Sequence, residues 1–235
     1  AHANENRLRE RFKVLSEVRA SLSSFDAGTR FVLNANISGV RGVLATLIEV
    51  DPKWERAIES ALGADIQSVV VDAWSIAETI KAKLGDMSGR VSLLPLDSLQ
   101  VDQDNVTRSR GLFSFLRRES NSLSSNISLP RGVKRATDFI KCDAALRPAI
   151  DLLLGNVVVG ESLKEARELR QKLPYGISVV TRTGEVLRAT GTVTLGDIAG
   201  DTSPSATTSF LTQQREWNEL PEQIVRAEGA AVASV

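Results

Sequence analysis

Residues 54–71 read WERAIESALGADIQSVVV, and residues 146–159 read LRPAIDLLLGNVVV. Each stretch combines a helix-type pattern, a Leu-Gly stop and a run of three valines. A further helix-type segment and a further apolar run follow in both places, at about 75–84 and 90–94 and at about 163–173 and 176–180. The same order of elements therefore occurs twice, and we interpret it as a diverged internal repeat.

Each copy predicts a strand, a helix of about ten residues and a second strand. The valine runs are β-branched and continuously apolar, which is typical of strands covered on both faces. A strand-helix-strand unit of this kind crosses over right-handedly. Gly63 and Gly155 are expected to cap their helices in the left-handed conformation. The repeat predicts two α/β lobes related by an approximate twofold axis; chance similarity between two βαβ units is the alternative.

Both ends of the chain carry heptad patterns. In the predicted helix 5–25, leucines recur every seven residues and Phe12 supplies the second seam position. In the last 26 residues the seam is formed by five apolar positions: Phe210, Trp217, Leu220, Ile224 and Ala227. The pattern predicts coiled-coil stubs that enter and leave the domain, with two amphipathic helices packed on the globular part as the alternative. Pro221 predicts a kink or break in the second helix.

The composition excludes several kinds of chemistry. Lysine plus arginine and aspartate plus glutamate both number 29, so no global charge drives binding to nucleic acid or membrane. The single cysteine excludes an intrachain disulfide and a cysteine-based zinc site. The single histidine is His2, which we expect in a frayed terminus, so a catalytic triad and a histidine-rich metal site are also unavailable. It lacks a phosphate-binding loop and an apolar run long enough to span a bilayer. The carboxylates are scattered, and we expect them to be solvated surface groups.

Residues 97–135 join the lobes and are rich in serine, asparagine and arginine. Seven cations and one acid, Glu119, fall between residues 108 and 135, and two phenylalanines lie among them. The cations are Arg108, Arg110, Arg117, Arg118, Arg131, Lys134 and Arg135. Interleaved cations and rings suit weak, salt-dependent contact with DNA. The alternative is a solvated, partly flexible loop that the two rings pin to the core.

One family resemblance covers most of residues 37–196. Residues 37–63 read ISGVRGVLATLIEVDPKWERAIESALG, followed by IQSVVVD at 66–72 and GRVSLLPLD at 89–97. The closing half reads GNVVV at 155–159 and VVTRTGEVLRATG at 179–191. In order and spacing these segments resemble the hinge domain of SMC (structural maintenance of chromosomes) proteins.

The resemblance implies a dimer in which a glycine-flanked strand edge of one lobe pairs with the other lobe of a second copy. The residues implied on this chain are Gly89, Arg90, Val91, Leu93, Gly191, Thr192, Val193, Thr194, Leu195 and Gly196. Many family members carry two Gly-Gly pairs around this strand, whereas single glycines stand here at 191 and 196. Turn chemistry is the alternative explanation of these glycines.

The expected fold is therefore α/β (α+β), with two pseudo-symmetric lobes forming an SMC hinge and coiled-coil helices at both ends. The expected domains are a stub at 1–30, lobe 1 at 31–96, the basic linker at 97–135, lobe 2 at 136–200, and a linker and stub at 201–235. The resemblance implies an inert, cytoplasmic, chromosome-associated dimerisation module without cofactor, whose parent binds ATP and Mg²⁺ and other chromosome-complex subunits. An α/β enzyme domain that binds a small molecule and a stand-alone nucleic-acid binder are the alternatives.

Overall fold

The computed structural model describes residues 7, 9–13, 25–85, 90–99, 129–130, 132–196 and 210–232. The elements of the first lobe are α1 (Ala27–Asn34), β1 (Val40–Val43), α2 (Leu44–Leu47), β2 (Ile48–Val50), α3 (Glu55–Leu62), β3 (Val69–Val71), α4 (Trp74–Leu84) and β4 (Leu93–Pro95). A short 3₁₀ turn, Gly63–Gln67, separates α3 from β3, and a second one follows β4 at Asp97–Leu99.

The second lobe repeats the order of strands and helices from β2 to β4 and adds a hairpin. Its elements are a 3₁₀ turn (Ala136–Phe139), β5 (Ile140–Cys142), α5 (Arg147–Leu154), β6 (Val157–Gly160), α6 (Leu163–Lys172), β7 (Ser178–Thr181), β8 (Val186–Leu187) and β9 (Val193–Thr194). A long helix, α7 (Phe210–Val232), follows it.

The repeat predicted from the sequence is present in the fold. In each lobe the valine run forms a fully buried strand, a helix crosses over, and the next strand pairs with the first in parallel. The described residues form three sheets, with the strand orders β1-β3-β4, β2-β5 and β6-β7-β8-β9. The α/β prediction is confirmed.

The two predicted glycine caps differ in conformation. Gly63 ends α3 with a φ of 56°, on the positive side where only glycine is unstrained. Gly155 ends α5 with a φ of −61° and ψ of −25°, so the left-handed cap predicted there is wrong. Its carbonyl accepts a hydrogen bond from the Arg135 guanidinium, which satisfies one of the C=O groups that a helix end leaves without an intrahelical partner.

The short sheet β2-β5 joins the lobes at their symmetry axis. Its antiparallel register is centred on Glu49 opposite Lys141. Lys141 follows Glu49 by 92 residues, the same interval that separates Leu146 from Trp54 in the repeat. Positions that are equivalent in the repeat thus face each other, and this is what a twofold axis through the pair requires.

One hydrophobic core extends across both lobes. Ile58 on α3 and Ile150 on α5, also 92 residues apart, are both fully buried in it. Two smaller clusters lie under the crossover helices, one around Ile80 in lobe 1 and one around Ile177 in lobe 2. The lobes therefore fold against each other and share their largest apolar cluster.

The start of the β4 strand is held by a close helix contact. A Cβ built on Gly28 of α1 would lie 2.5 Å from the carbonyl oxygen of Arg90, a distance that forces the backbone to move. We expect Gly28→Ala to lower the free energy of unfolding by about 1–3 kcal/mol through overpacking, measured by urea denaturation. Gly160→Ala is the matched control, because the atom nearest to its added Cβ lies at 3.6 Å, a normal van der Waals distance. Equal effects of the two variants would contradict the close-contact explanation.

The two ends of the chain lie side by side, as the heptads predict. Residues 9–13 are helical, and the Phe12 ring stacks on Trp217 of α7 at 4.6 Å between centroids. Arg11 and Glu216 form an ion pair at 2.7 Å beside the stacked rings. Of the kink or break predicted at Pro221, the break is absent, because α7 continues through this residue. No helix in the described ranges is long and apolar enough to cross a membrane.

Candidate dimerisation edges

Strand β4 lies at the edge of its sheet and exposes main-chain groups on one side. Within the described residues β3 is its one strand partner, and the amide of Val69 donates to the carbonyl of Ser92 while that of Leu96 donates to Val71. In a parallel ladder the bonded residues alternate. The N–H and C=O groups of Val91 and Leu93 therefore point away from β3. Pro95 has no N–H group, so the β4 edge offers no hydrogen-bond donor at this residue.

Strand β9 is the corresponding edge in lobe 2. The amide of Arg188 donates to the carbonyl of Thr192 at 2.8 Å, which makes them a hydrogen-bonded pair at the end of the β8-β9 hairpin. Bonded and non-bonded pairs alternate in an antiparallel ladder, and Val193 lies opposite Leu187 in the next pair. The main-chain groups of Val193 thus point outward, where none of the described strands lies.

The structure describes every residue of the implied interface except Gly89, which lies outside the described ranges. All positions from 191 to 196 are exposed, as is Arg90, whereas the side chains of Val91 and Leu93 are half-buried against the lobe 1 cluster. Two of the exposed side chains are large and apolar: Val193 is 49% and Leu195 62% exposed. The interface assignment itself stays a prediction.

Gly191 and Gly196 flank β9 in the left-handed region, with φ values of 94° and 95°. Gly191 closes the β8-β9 turn, where its amide donates to the carbonyl of Arg188. A Cβ at either position would meet nothing within 4 Å in this chain. Turn conformation is therefore sufficient to explain glycine at Gly191, and the open space leaves room for another backbone at both positions.

A carboxylate holds the hairpin that carries β9. Glu185 accepts hydrogen bonds from the hydroxyls of Thr181 and Thr183 in the β7-β8 turn. These two hydrogen bonds lower the pKa of Glu185 below its ordinary value of 4.5, and the nearby Arg56 adds to the effect. The ionised carboxylate thus stabilises the turn.

This lowered pKa predicts an acid dependence of stability. A carboxyl group with a depressed pKa in the folded state stabilises the fold above pH 4.5, and the contribution disappears as the pH falls through the lowered pKa. We expect Glu185→Gln to be less stable than the unaltered chain at pH 7, with the difference shrinking below pH 4.5, by thermal unfolding at a series of pH values. A difference that stays constant down to pH 2 would contradict the prediction.

The basic cluster predicted for DNA lies mostly beyond the described residues. Its members there are Arg108, Arg110, Arg117, Arg118 and Arg131. Lys134 is exposed, with its ammonium 5.6 Å from the centroid of the Phe139 ring. Arg135 is half-buried and donates to the Gly155 carbonyl, so this guanidinium has a structural role at the end of α5.

A cleft of about 390 Å³ lies between the lobes beside Lys134. Its charged lining mixes both signs: Lys53, Lys134 and Arg182 with Asp51, Glu161 and Glu165. Ser162 caps the start of α6 by accepting the amide of Glu165 with its hydroxyl, and the Glu165 carboxylate accepts the amide of Glu161. Among the described residues no cluster of histidine, cysteine, aspartate or glutamate has the composition of a metal site.

Sequence reasoning missed one buried charge. Glu55 was expected at the surface with the other carboxylates, but it is 4% exposed. It accepts from the Arg215 guanidinium at 2.6 Å and from the Thr212 hydroxyl at 2.7 Å, both on α7. The hydrogen bond to Glu55 raises the pKa of Arg215. Burial of Glu55 depends on where α7 docks, which no local pattern on α3 indicates.

Comparison with known proteins shows one family. The model of the family described as SMC proteins Flexible Hinge Domain matches residues 37–170. The chain is 30% identical over 226 residues to the chromosome partition protein Smc of Myxococcus xanthus, and 31% identical over 223 residues to that of Bacillus subtilis. Each alignment covers 94% of this chain and 17% of the relative, so the chain spans about a sixth of their length.

Solved structures give the same result. The crystal structure of an asymmetric dimer of the Geobacillus stearothermophilus SMC hinge domain is similar with a TM-score of 0.66 and 29% identity, covering 99% of this chain and 89% of that chain. The Pyrococcus furiosus SMC hinge domain is similar with a TM-score of 0.53 and 27% identity, covering 83% and 95% respectively.

Proposed function

Since this chain belongs to the SMC flexible-hinge family, we propose that it joins two copies of its parent protein by pairing their sheet edges. The β4 edge of one copy would pair with the β9 edge of the other, and the same contact would form twice around a twofold axis. Main-chain hydrogen bonds between edges supply affinity, and the neighbouring apolar side chains add buried area.

One observation carries this proposal. Each lobe presents an outer strand whose main-chain groups point away from its own sheet, at Val91 and Leu93 in lobe 1 and at Val193 in lobe 2. The two lobes meet instead through β2-β5, so within the described residues they do not satisfy each other's outer edges. Unpaired edges of this kind are sites for a further strand.

Light scattering on a size-exclusion column tests the proposal. The chain has a mass of 25.4 kDa, and we expect a species of twice that mass at micromolar concentration. A monomer of 25.4 kDa over this range would refute edge-to-edge joining and would favour the two rival functions, an α/β domain that binds a small molecule or a stand-alone nucleic-acid binder.

The domain is a non-catalytic part of SMC proteins. We extend the proposal to the parent, which would bind and hydrolyse ATP with Mg²⁺ in segments outside this chain. The chromosome partition role of the named relatives supports a cytoplasmic, chromosome-associated protein that contacts further subunits through those segments. This part of the proposal rests on the relatives' names and on the shared hinge.

DNA contact by the basic linker is a second proposal, supported by the net charge of +6 between residues 108 and 135. We expect Arg117→Glu, Arg118→Glu and Lys134→Glu together to abolish band shifts at low salt and to reduce the slope of log K against log salt by about 2–3. The matched control reverses three exposed lysines elsewhere: Lys81, Lys83 and Lys172. Equal loss in the control would indicate a nonspecific charge effect.

A further inference from the structure

Trp74 is a large aromatic residue that the fold leaves in solvent. It is the first residue of α4 and is 58% exposed, whereas Trp54, at the start of α3, is 8% exposed. The sequence favours core or helix-sheet packing for both residues, and for Trp74 that interpretation is wrong. An exposed tryptophan is a candidate contact for a partner, because tryptophan is among the residues most enriched at the energetic centres of interfaces.

The position of Trp74 is fixed beside the β4 edge. Its main-chain amide donates to the Asp97 carboxylate at 3.0 Å. Asp97 lies two residues after Pro95, the last residue of β4. The amide of Leu96, between them, donates to the carbonyl of Val71 at the end of β3. The start of α4 is thus tied to the end of the strand that offers its outer side to a second copy.

The edges alone are too small for a stable dimer. The regular strands comprise three residues in β4 and two in β9. A specific interface usually buries about 800 Å² on each partner, several times what such short strands present. Large side chains next to the edges must supply the difference, and tryptophan is among the residues most enriched at the energetic centres of interfaces.

We infer that Trp74 is an anchor residue for a second copy of this chain. Its indole packs against the exposed apolar side chains on the partner's lobe 2 edge, Val193 of the partner subunit and Leu195 of the partner subunit. The inference rests on the proposed edge-to-edge dimer and adds a side-chain contact to its main-chain pairing. It explains why the fold keeps Trp74 and Leu195 in water within one protomer.

Dilution experiments on Trp74→Ala test this inference. We expect sedimentation equilibrium to give a dimer Kd raised about thirtyfold, the effect of losing an interface anchor. The matched control is Tyr175→Ala, which removes an 86% exposed ring ahead of β7, an inner strand of its sheet. Its Kd should stay within about threefold of the unaltered chain.

The outcomes separate the inference from the proposed function. An unaltered chain that is a monomer refutes the dimer itself. A dimer whose Kd is unchanged by Trp74→Ala, but which dissociates when β9 is altered, keeps the proposed function and refutes the anchor. Reduced DNA binding by Trp74→Ala with an unchanged Kd would also refute it, since the indole would then serve a nucleic acid.

A measurement on the unaltered chain avoids any folding defect of the variant. Acrylamide quenching of tryptophan fluorescence should rise on dilution through the Kd, as Trp74 becomes accessible. Trp74→Phe should show no such rise, because Trp54 is buried and Trp217 is stacked on Phe12 within the protomer. Quenching that is independent of concentration in the unaltered dimer would overturn the inference.

Discussion

Replacing Val193 and Leu195 with glutamate will convert the proposed dimer to a 25.4 kDa monomer that remains folded. Both side chains are exposed in the protomer, at 49% and 62%, so the substitutions cost little in the isolated chain. In the proposed dimer, the substitutions would bury two carboxylates at each β4–β9 contact with no cation to pair with them, which is energetically costly. Inward-facing charge is also the device by which edge strands avoid pairing.

Light scattering measures the mass, and circular dichroism shows whether the fold is retained. The matched control is Leu152→Glu with Tyr175→Glu, which adds the same charge at two exposed apolar positions away from both edges. The control should remain dimeric. A dimer that survives the β9 substitutions would place the interface elsewhere on the molecule.

Glycine substitutions would test the edge less cleanly. Any side chain at Gly191 or Gly196 is strained, since both have φ values near 95°. Loss of the dimer in such a variant could then follow from a distorted hairpin turn. Val193 and Leu195 avoid this problem because they do not require the left-handed conformation.

Glu55→Ala, which removes the buried carboxylate, will lower the free energy of unfolding by about 2–4 kcal/mol, measured by urea denaturation. The substitution removes two hydrogen bonds to a carboxylate, and such bonds contribute about 1.5–3 kcal/mol each. The Arg215 guanidinium and the Thr212 hydroxyl of α7 both lose Glu55 as their acceptor, and among the described residues Arg215 keeps only its pairing with the exposed Glu219. Hydrogen exchange should show α7 opening more readily than the sheets.

The chain offers a matched control on the same arginine. Glu219 also pairs with Arg215, at 3.4 Å, but its side chain is 47% exposed. Glu219→Ala should cost well under 1 kcal/mol, as exposed ion pairs do. Similar losses for the two variants would show that burial of Glu55 does not carry the effect. Replacing Glu55 and Arg215 together by methionine should cost less than Glu55→Ala alone.

This contact bears on the proposed function because α7 is one of the two helices expected to form the coiled-coil stubs. Leu211 is buried in the shared core, and the amide of Phe210 donates to the Glu59 carboxylate at 3.1 Å. The first turns of α7 are thus fixed to α3 by both packing and hydrogen bonds. The direction in which α7 leaves the lobes is therefore set by its contacts with α3.

Most of the fold could be predicted from sequence because its signals are local. The valine runs at 69–71 and 157–159, the crossover helices and the hairpin around Gly184 all follow from residue periodicity and turn chemistry. The heptads likewise predict that the chain ends lie together, as the stacking of Phe12 on Trp217 confirms. Periodicity is a property of neighbouring residues, and so it can be read without the tertiary structure.

The errors concern features that depend on distant parts of the chain. Trp74 was expected to be buried and is exposed, whereas Glu55 was expected to be exposed and is buried. Burial depends on which distant part of the chain packs over a residue. The left-handed conformation predicted for Gly155 is absent, and its carbonyl is bound by Arg135, 20 residues earlier in the chain. Pro221 does not break α7, although a proline lacks the helical hydrogen bond and costs about 3 kcal/mol in an isolated helix.

By itself, the sequence determined two similar α/β units and helical ends, because residue spacing dictates which local elements can form. Only the tertiary structure decided that the units join through β2-β5, with Glu49 opposite Lys141, and leave β4 and β9 at the outside. Strand pairing is a choice between distant segments that carry similar apolar patterns, so it is settled by how the whole core packs.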